Sequence, residues 1–310
     1  MPGCMKRRLL YASSQAYRPQ VEDPRRPVGW IETPIIIRRN GELGRRAIDL
    51  ALVGRVRDGV VVAFRGSLSP LFGSGEDGWA VLLDWLNDSL SVCSEAPEYR
   101  GGVHLGFADS MWRLWEDADG THGVRSAVQW LLDRSLRDHA ARPHLFLTGH
   151  SKGGALANLA AYRAARLPEW GDMPISVATI AAARAGNARF ARAYTAERIA
   201  CLRYEVPSDL VPHLPPGPAT PRWLRAIARQ IAPRLASSDY HPVGERVSAE
   251  PSLSPWLSAW LRHALGIFTL RGIKLAAFSP AALAAHAICP QSGYDRLICV
   301  GEQACGHGRS

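Results

Sequence analysis

One stretch of this chain leaves few choices for the backbone around it. Leu145-Phe146-Leu147-Thr148 is a short apolar run of strand type, and Gly149-His150-Ser151-Lys152-Gly153-Gly154 follows at once. An Ala-rich run of helical character then continues to Arg166. A strand that turns into a helix within a few residues brings two backbones so close that a Cβ beside the turn would strike one of them. Glycines on both sides of Ser151 answer that need. The serine is lifted to the carboxyl end of its strand, above a helix N-terminus that favours developing negative charge. This is the only G-x-S-x-G in the chain. The bare pattern is weak, and its strand–turn–helix setting carries the weight. The competing reading is a Gly-rich connection holding an ordinary serine.

The remaining chain supplies a setting for such a turn. Leu50–Val56 and Val60–Phe64 flank Asp58-Gly59, a hairpin signal between two β-rich runs. Residues 124–136 carry Val124, Ala127, Val128, Leu131, Leu132 and Leu136, the apolar stripe of an amphipathic helix. Ile175–Ala181 and Cys201–Val206 read as strands, with a helix predicted over Phe190–Arg198 between them. Strands alternating with helices predict a mostly parallel central sheet covered by helices on both faces. No internal repeat and no clean boundary divide the 310 residues, so the expectation is one domain. Residues 1–48, rich in Arg and Pro, read as an N-terminal arm or covering segment, and about 217–280 as a helical insertion.

A serine hydroxyl needs a base, and the base needs an orienting acid. In a sheet of this kind the chain order is Ser, then Asp or Glu, then His. Asp209 follows a predicted strand at the right end of the sheet, although a turn aspartate after Pro207 explains it locally as well. Glu205 lies inside the strand and suits the role less. For the base, His150 abuts Ser151 and His213 lies too near Asp209 to sit between the two. His241, His263 and His286 are the candidates.

With these residues in view, the chain resembles the class 3 (fungal-type) lipase family of the α/β-hydrolase superfamily. The blocks that carry the resemblance occur in order. They are Val61-Val62-Ala63-Phe64-Arg65-Gly66-Ser67, Asp84-Trp85-Leu86-Asn87-Asp88, Val103-His104-Leu105-Gly106-Phe107, the Ser151 turn, and Asp209 within Val211-Pro212-His213-Leu214-Pro215-Pro216. Together they span roughly residues 10–295. The resemblance implies an α/β-hydrolase fold and a hydrolase of lipid esters, with Ser151 as nucleophile and Asp209 as acid. It also implies an oxyanion hole from Ser67 and the backbone N–H of Lys152. Ala284-Ala285-His286-Ala287-Ile288 followed by Tyr294 is similar to the family's His-then-Tyr segment, which favours His286 as base. His241, within Asp239-Tyr240-His241-Pro242-Val243-Gly244, looks like the family's strand that precedes the base. Two departures stand out. Lys152 occupies a position that is more often apolar, so its ammonium is expected to turn toward an acidic neighbour or solvent. The His286-to-Tyr294 spacing is stretched by Cys289-Pro290.

Other features bear on substrate and location. Leu71–Leu83 sets Gly hinges beside Leu, Phe and Trp, which suits a lid over an apolar cleft or a surface loop with a core helix. The net charge of +9 raises the question of an anionic partner. Lys6, Lys152 and Lys274 are the lysines among 37 basic residues, and the arginines are dispersed, with no nucleic-acid recognition motif. Arg222–Arg229 and Trp256–Lys274 mix Arg with Trp and Leu, a pattern that fits transient contact with an anionic lipid surface or helices packed on their own core. Six cysteines are too sparse for a disulfide scaffold, and Cys299, Cys305 and His307 match no zinc pattern. No metal or organic cofactor is expected. No signal-peptide pattern and no transmembrane run is read, so the expected location is cytoplasmic, with signal-less export the alternative. The expected substrate is a lipid ester. The rivals are a phospholipase or lysophospholipase acting on membranes and a non-catalytic interaction protein on the same fold.

Overall fold

A computed structural model describes residues 3–40, 47–67, 92–138, 143–222, 224–226, 238–248, 285–288 and 293–299. Its centre is a seven-stranded sheet in the order β1-β2-β3-β6-β7-β9-β11. The strands are β1 (Ile35–Asn40), β2 (Ala47–Val56), β3 (Gly59–Phe64), β6 (His144–His150), β7 (Ile175–Ile180), β9 (Ala200–Glu205) and β11 (Glu245–Ser248). The first three pair antiparallel; from β3 to β11 every pairing is parallel. Four short strands, β4 (Cys93–Glu95), β5 (Gly102–His104), β8 (Gly186–Asn187) and β10 (Tyr240–His241), form a second sheet.

Among the described residues six helices cover the large sheet: α1 (Gly3–Gln15), α2 (Leu105–Trp115), α3 (Val124–Asp138), α4 (Lys152–Ala165), α5 (Ala188–Ala196) and α6 (Gly293–Cys299). The alternation along β3 divides the core into two layers. Val60, Val62 and Phe64 join α2, α3, α4 and α5 on one face, while Val61 and Ala63 join α1 and α6 on the other. All six residues of β3 are therefore buried, as expected of a strand covered on both sides. Helix α4 is buried nearly all round; its alanines let it settle close to the sheet.

Most elements fall where the residue pattern puts them, with three differences. Of the two readings of segment 1–48, arm or covering segment, the second holds: its described residues supply α1, which packs on the sheet, the edge strand β1 and the start of β2. Helix α1 buries Met5, Leu9, Leu10 and Ala12, and Ser13 Oγ lies 2.8 Å from Thr148 Oγ1 on β6. That stripe is narrow and interleaved with Lys6, Arg7 and Arg8, so its period is hard to read against the surrounding Arg and Pro. Second, residues 238–248, inside the expected helical insertion, supply β10 and β11. An edge strand reading Glu-Arg-Val-Ser has too few apolar residues to announce itself. Third, the β2–β3 loop is Arg57-Asp58, one residue earlier than the expected Asp58-Gly59 turn, because Gly59 is already paired to Val56. The suggested lid at 71–83, the Asp84–Asp88 block, His263 and Trp256–Lys274 lie outside the described residues.

Candidate active site

The parallel strands β3, β6, β7 and β9 end at one edge of the sheet, and the residues singled out in the sequence gather there. Ser151 joins β6 to α4 with φ 58° and ψ −127°, a strained backbone for a residue with a side chain. Its N–H donates to Ile180 O at 3.0 Å, and its carbonyl accepts from Gly154 N at 3.0 Å and Ala183 N at 3.3 Å. The glycines are demanded by backbone contact: a Cβ at Gly149 would strike the Gly153 carbonyl, and one at Gly153 the Phe64 carbonyl. The turn is over-determined, and that holds Ser151 in its strained state.

Two segments later, the chain leaves β9 and turns back through Asp209, whose N–H donates to Val206 O at 3.0 Å. The carboxylate is buried, 1% exposed, yet fully engaged. Oδ1 accepts from Val211 N at 2.9 Å; Oδ2 accepts from the Tyr294 hydroxyl at 2.6 Å and lies 2.9 Å from His286 Nδ1. Burial by itself would raise the Asp209 pKa, but His286 together with the Tyr294 and Val211 donors outweighs it and holds the carboxyl below the ordinary carboxylate value. An ionised Asp209 requires His286 to present Nδ1–H toward it, which leaves the lone pair on Nε2.

His286 is also held from behind. His150 Nε2 lies 2.7 Å from the His286 carbonyl, and the two rings lie tilted at 37° to each other with centroids 4.5 Å apart. Because His150 is the residue before Ser151, this contact brings the His286 segment against the turn that carries the serine. Tyr17 OH is 2.7 Å from the other ring nitrogen of His150.

Ser67 and Lys152 flank the same turn. β3 pairs Phe64 with Gly149, and Ser67 is three residues beyond that pair. A Cβ on Gly66 would sit 2.6 Å from His150 O and 3.2 Å from Ser151 Cβ, so the Gly66–Ser67 loop passes directly beside the serine. Lys152 is the first residue of α4, and its ammonium turns to an acidic neighbour: Nζ donates to Asp49 Oδ1 on β2 at 2.8 Å. Arg113 of α2 holds the other oxygen at 2.7 and 3.0 Å. Burial would raise the Asp49 pKa, yet Lys152 and Arg113 outweigh it and lower it. An ammonium at a helix N-terminus opposes the macrodipole, and buried Asp49 offsets that cost while keeping the charge away from the serine.

The other histidines are elsewhere. His241 lies on β10, with Nδ1 3.3 Å from Asp239 Oδ1; His213 is in the 3₁₀ turn Val211–His213, and burial lowers its pKa to about 4. Glu205 pairs with Arg203 and with Arg246, at 2.7 Å for the latter. Residue patterns missed Tyr17 and the part played by His150, whose bonds span 133 and 136 residues and leave no local signal. The hydroxyl of Tyr294 was within reach, since its place after His286 was noticed.

A buried carboxylate bonded to a histidine, brought against a strained serine at a helix N-terminus, is equipped for nucleophilic acyl transfer. The family model for lipase (class 3) matches residues 61–218 of this chain. The chain belongs to the class 3 lipase family. The match takes in Ser67, Ser151, Lys152 and Asp209, and ends before His286. Among curated relatives, this class 3 lipase family member is 27% identical over 218 residues to phospholipase A1-Igamma2, chloroplastic, of Arabidopsis thaliana, covering 65% of this chain and 39% of that protein. It is 26% identical over 173 residues to phospholipase A(1) DAD1, chloroplastic, of the same plant, covering 54% of this chain and 35% of that one. The chain thus spans well under half the length of these relatives. Among solved structures, the lipase from Rhizopus microsporus var. chinensis matches with a TM-score of 0.56 at 21% identity, covering 81% of this chain and 77% of that one. That likeness establishes the α/β-hydrolase fold.

Proposed function

We propose that this chain is a serine hydrolase of carboxylic esters that acts on lipid esters through an acyl-Ser151 intermediate. The observation that carries the reading is the 2.9 Å bond between His286 Nδ1 and buried Asp209, made against the residue that precedes Ser151. In this scheme His286 Nε2 removes the Ser151 proton as Oγ attacks the ester carbonyl. Asp209 keeps its charge, holds the ring orientation and stabilises the imidazolium. The backbone N–H of Lys152, with Ser67, stabilises the oxyanion. His286 then gives its proton to the departing alcohol. Water, deprotonated by the same nitrogen, releases the fatty acid and restores Ser151.

Turnover of p-nitrophenyl esters of rising acyl length, compared between wild type and Ser151→Ala, tests the reading. Activity that climbs with chain length and vanishes in the variant is expected. No turnover on any ester, or activity that survives the substitution, sinks it. A second reading, a phospholipase, is favoured by the two relatives named phospholipases A1. Parallel assays on trioleoylglycerol and phosphatidylcholine separate the two. Contact with an anionic lipid surface through the Arg- and Trp-bearing stretches after Asp209 belongs to the same proposal, and vesicle sedimentation with and without phosphatidylglycerol tests it.

A further inference from the structure

Two side chains that the proposed chemistry does not use, Tyr17 and His150, lie directly behind it. His150 is 6% exposed, and its Nε2 faces the His286 carbonyl at 2.7 Å. A carbonyl can only accept, so Nε2 carries the proton and Nδ1 has the lone pair. Tyr17 OH, 2.7 Å away, must then donate to Nδ1. The Tyr17 oxygen is in turn joined by a backbone hydrogen bond to Gly66, whose N–H is the donor. The chain of bonds runs without conflict from Gly66 N–H to Tyr17 O–H to His150, and from His150 Nε2–H to His286 O. Burial, and then the neighbouring His286, lower the His150 pKa to about 3, so the ring stays neutral and the direction of the bonds does not change over the working range of pH.

From this geometry we infer that Tyr17 and His150 are positioning residues that brace His286 and the Gly66–Ser67 loop against Ser151; the inference rests on the hydrolase reading above. A ring anchored at Nδ1 alone can swing about that bond. Anchoring the carbonyl of the same residue removes the swing and fixes where Nε2 points. The other end of the chain of bonds grips Gly66, next to Ser67, so one connected network sets both the base and the oxyanion loop. The space around it is closed. A Cβ on Gly66 would strike the Tyr17 hydroxyl, and the Tyr17 ring meets His150 edge-on at 5.8 Å. Tyr17 follows α1, so the helix at the start of the chain reaches the reacting end of the sheet through this hydroxyl.

The test compares kcat, KM and melting temperature of wild type, Tyr17→Phe, His150→Phe and His150→Gln on a soluble short-chain ester. A misplaced base costs on the order of 10- to 100-fold, because reacting groups about 1 Å off lose that much. The expected result is a kcat lowered about 10-fold in Tyr17→Phe and up to about 100-fold in His150→Phe, with KM within about 3-fold of wild type. His150→Gln, whose amide N–H reaches the His286 carbonyl, should recover most of the rate. Tyr17→Phe deletes one oxygen, which keeps the test meaningful if His150→Phe folds poorly. Wild-type kcat in both Phe variants, a loss confined to KM, or a Gln variant no better than Phe would overturn the brace. An inactive wild type would overturn the hydrolase reading and the brace with it, whereas an active wild type with full-rate variants overturns the brace alone.

Discussion

Replacing Tyr294 with Phe removes one oxygen from a packed site and should destabilise the protein most at neutral pH. The Tyr294 hydroxyl donates to Asp209 Oδ2 at 2.6 Å and accepts from Val206 N at 3.2 Å. A hydrogen bond to a charged group is worth about 1.5–3 kcal/mol, and the orphaned Val206 N–H adds a penalty of its own. The sum is about 2–3 kcal/mol, or roughly 3–5 °C in Tm for a chain of this size. The pH dependence follows from the depressed pKa of Asp209. A carboxyl whose folded pKa lies below its unfolded value adds stability above the unfolded value, near 3.9, and that stability is lost as pH falls through the folded pKa. Once Asp209 is protonated, the Tyr294 contact is a neutral hydrogen bond worth about 1 kcal/mol. The difference between wild type and Tyr294→Phe in urea unfolding should therefore be full at pH 7 and shrink by about half only as pH falls through the folded pKa of Asp209, below the ordinary carboxylate value. A difference that stays equal down to the pH at which Asp209 is protonated in the folded protein would refute the argument that Tyr294 acts through the charge on Asp209. Because Val211 N–H and His286 still hold the carboxylate, kcat should fall by less than about 10-fold. A much larger loss of kcat with unchanged stability would place the hydroxyl in contact with substrate instead.

Three further outcomes are expected. Gly153→Ala puts a methyl against the Phe64 carbonyl, so it should give little soluble protein, whereas Gly120→Ala, where a Cβ meets nothing within 4 Å, should be soluble and cost at most about 1–2 kcal/mol for its positive φ. Lys152→Met leaves Asp49 to Arg113 alone; it should cost about 1–3 kcal/mol in thermal unfolding, yet leave kcat on neutral esters within about 5-fold, since the ammonium points away from the serine. Thr148→Val removes the hydroxyl that donates to Ala178 O at 2.7 Å and meets Ser13; it should lower stability by about 1–2 kcal/mol and speed hydrogen exchange in α1 before the rest of the sheet.

What could be read in advance follows the range of the forces involved. The Ser151 turn was legible because it is built from neighbours in the chain: an apolar strand, two obligatory glycines and an alanine-rich helix. Asp209 was legible from its place after a strand, and Lys152's turn toward an acid from the awkwardness of an ammonium at that position. Which acid, however, depended on β2 lying two strands from β6, with only β3 between them, a fact of sheet order. Tyr17 and His150 were invisible for the same reason. Their value comes from partners more than a hundred residues away, and no local periodicity encodes such a contact. Helix α1 was hidden by composition, since its narrow apolar stripe runs among basic residues that dominate any count.

The serine and its brace are separated from the base by a long stretch of chain, and this has a consequence for synthesis. The bond between His150 and His286 joins positions 136 apart. At about 5–20 residues per second, roughly 7–27 s pass between translation of one and of the other. During that interval the nascent chain can complete the strained turn, with nothing yet present to deprotonate its hydroxyl. In the proposed acyl-serine scheme Ser151 therefore emerges unarmed. Its reactivity is withheld until the segment that carries His286 has docked, so a chain that stalls or is cut before that point bears the serine without its base.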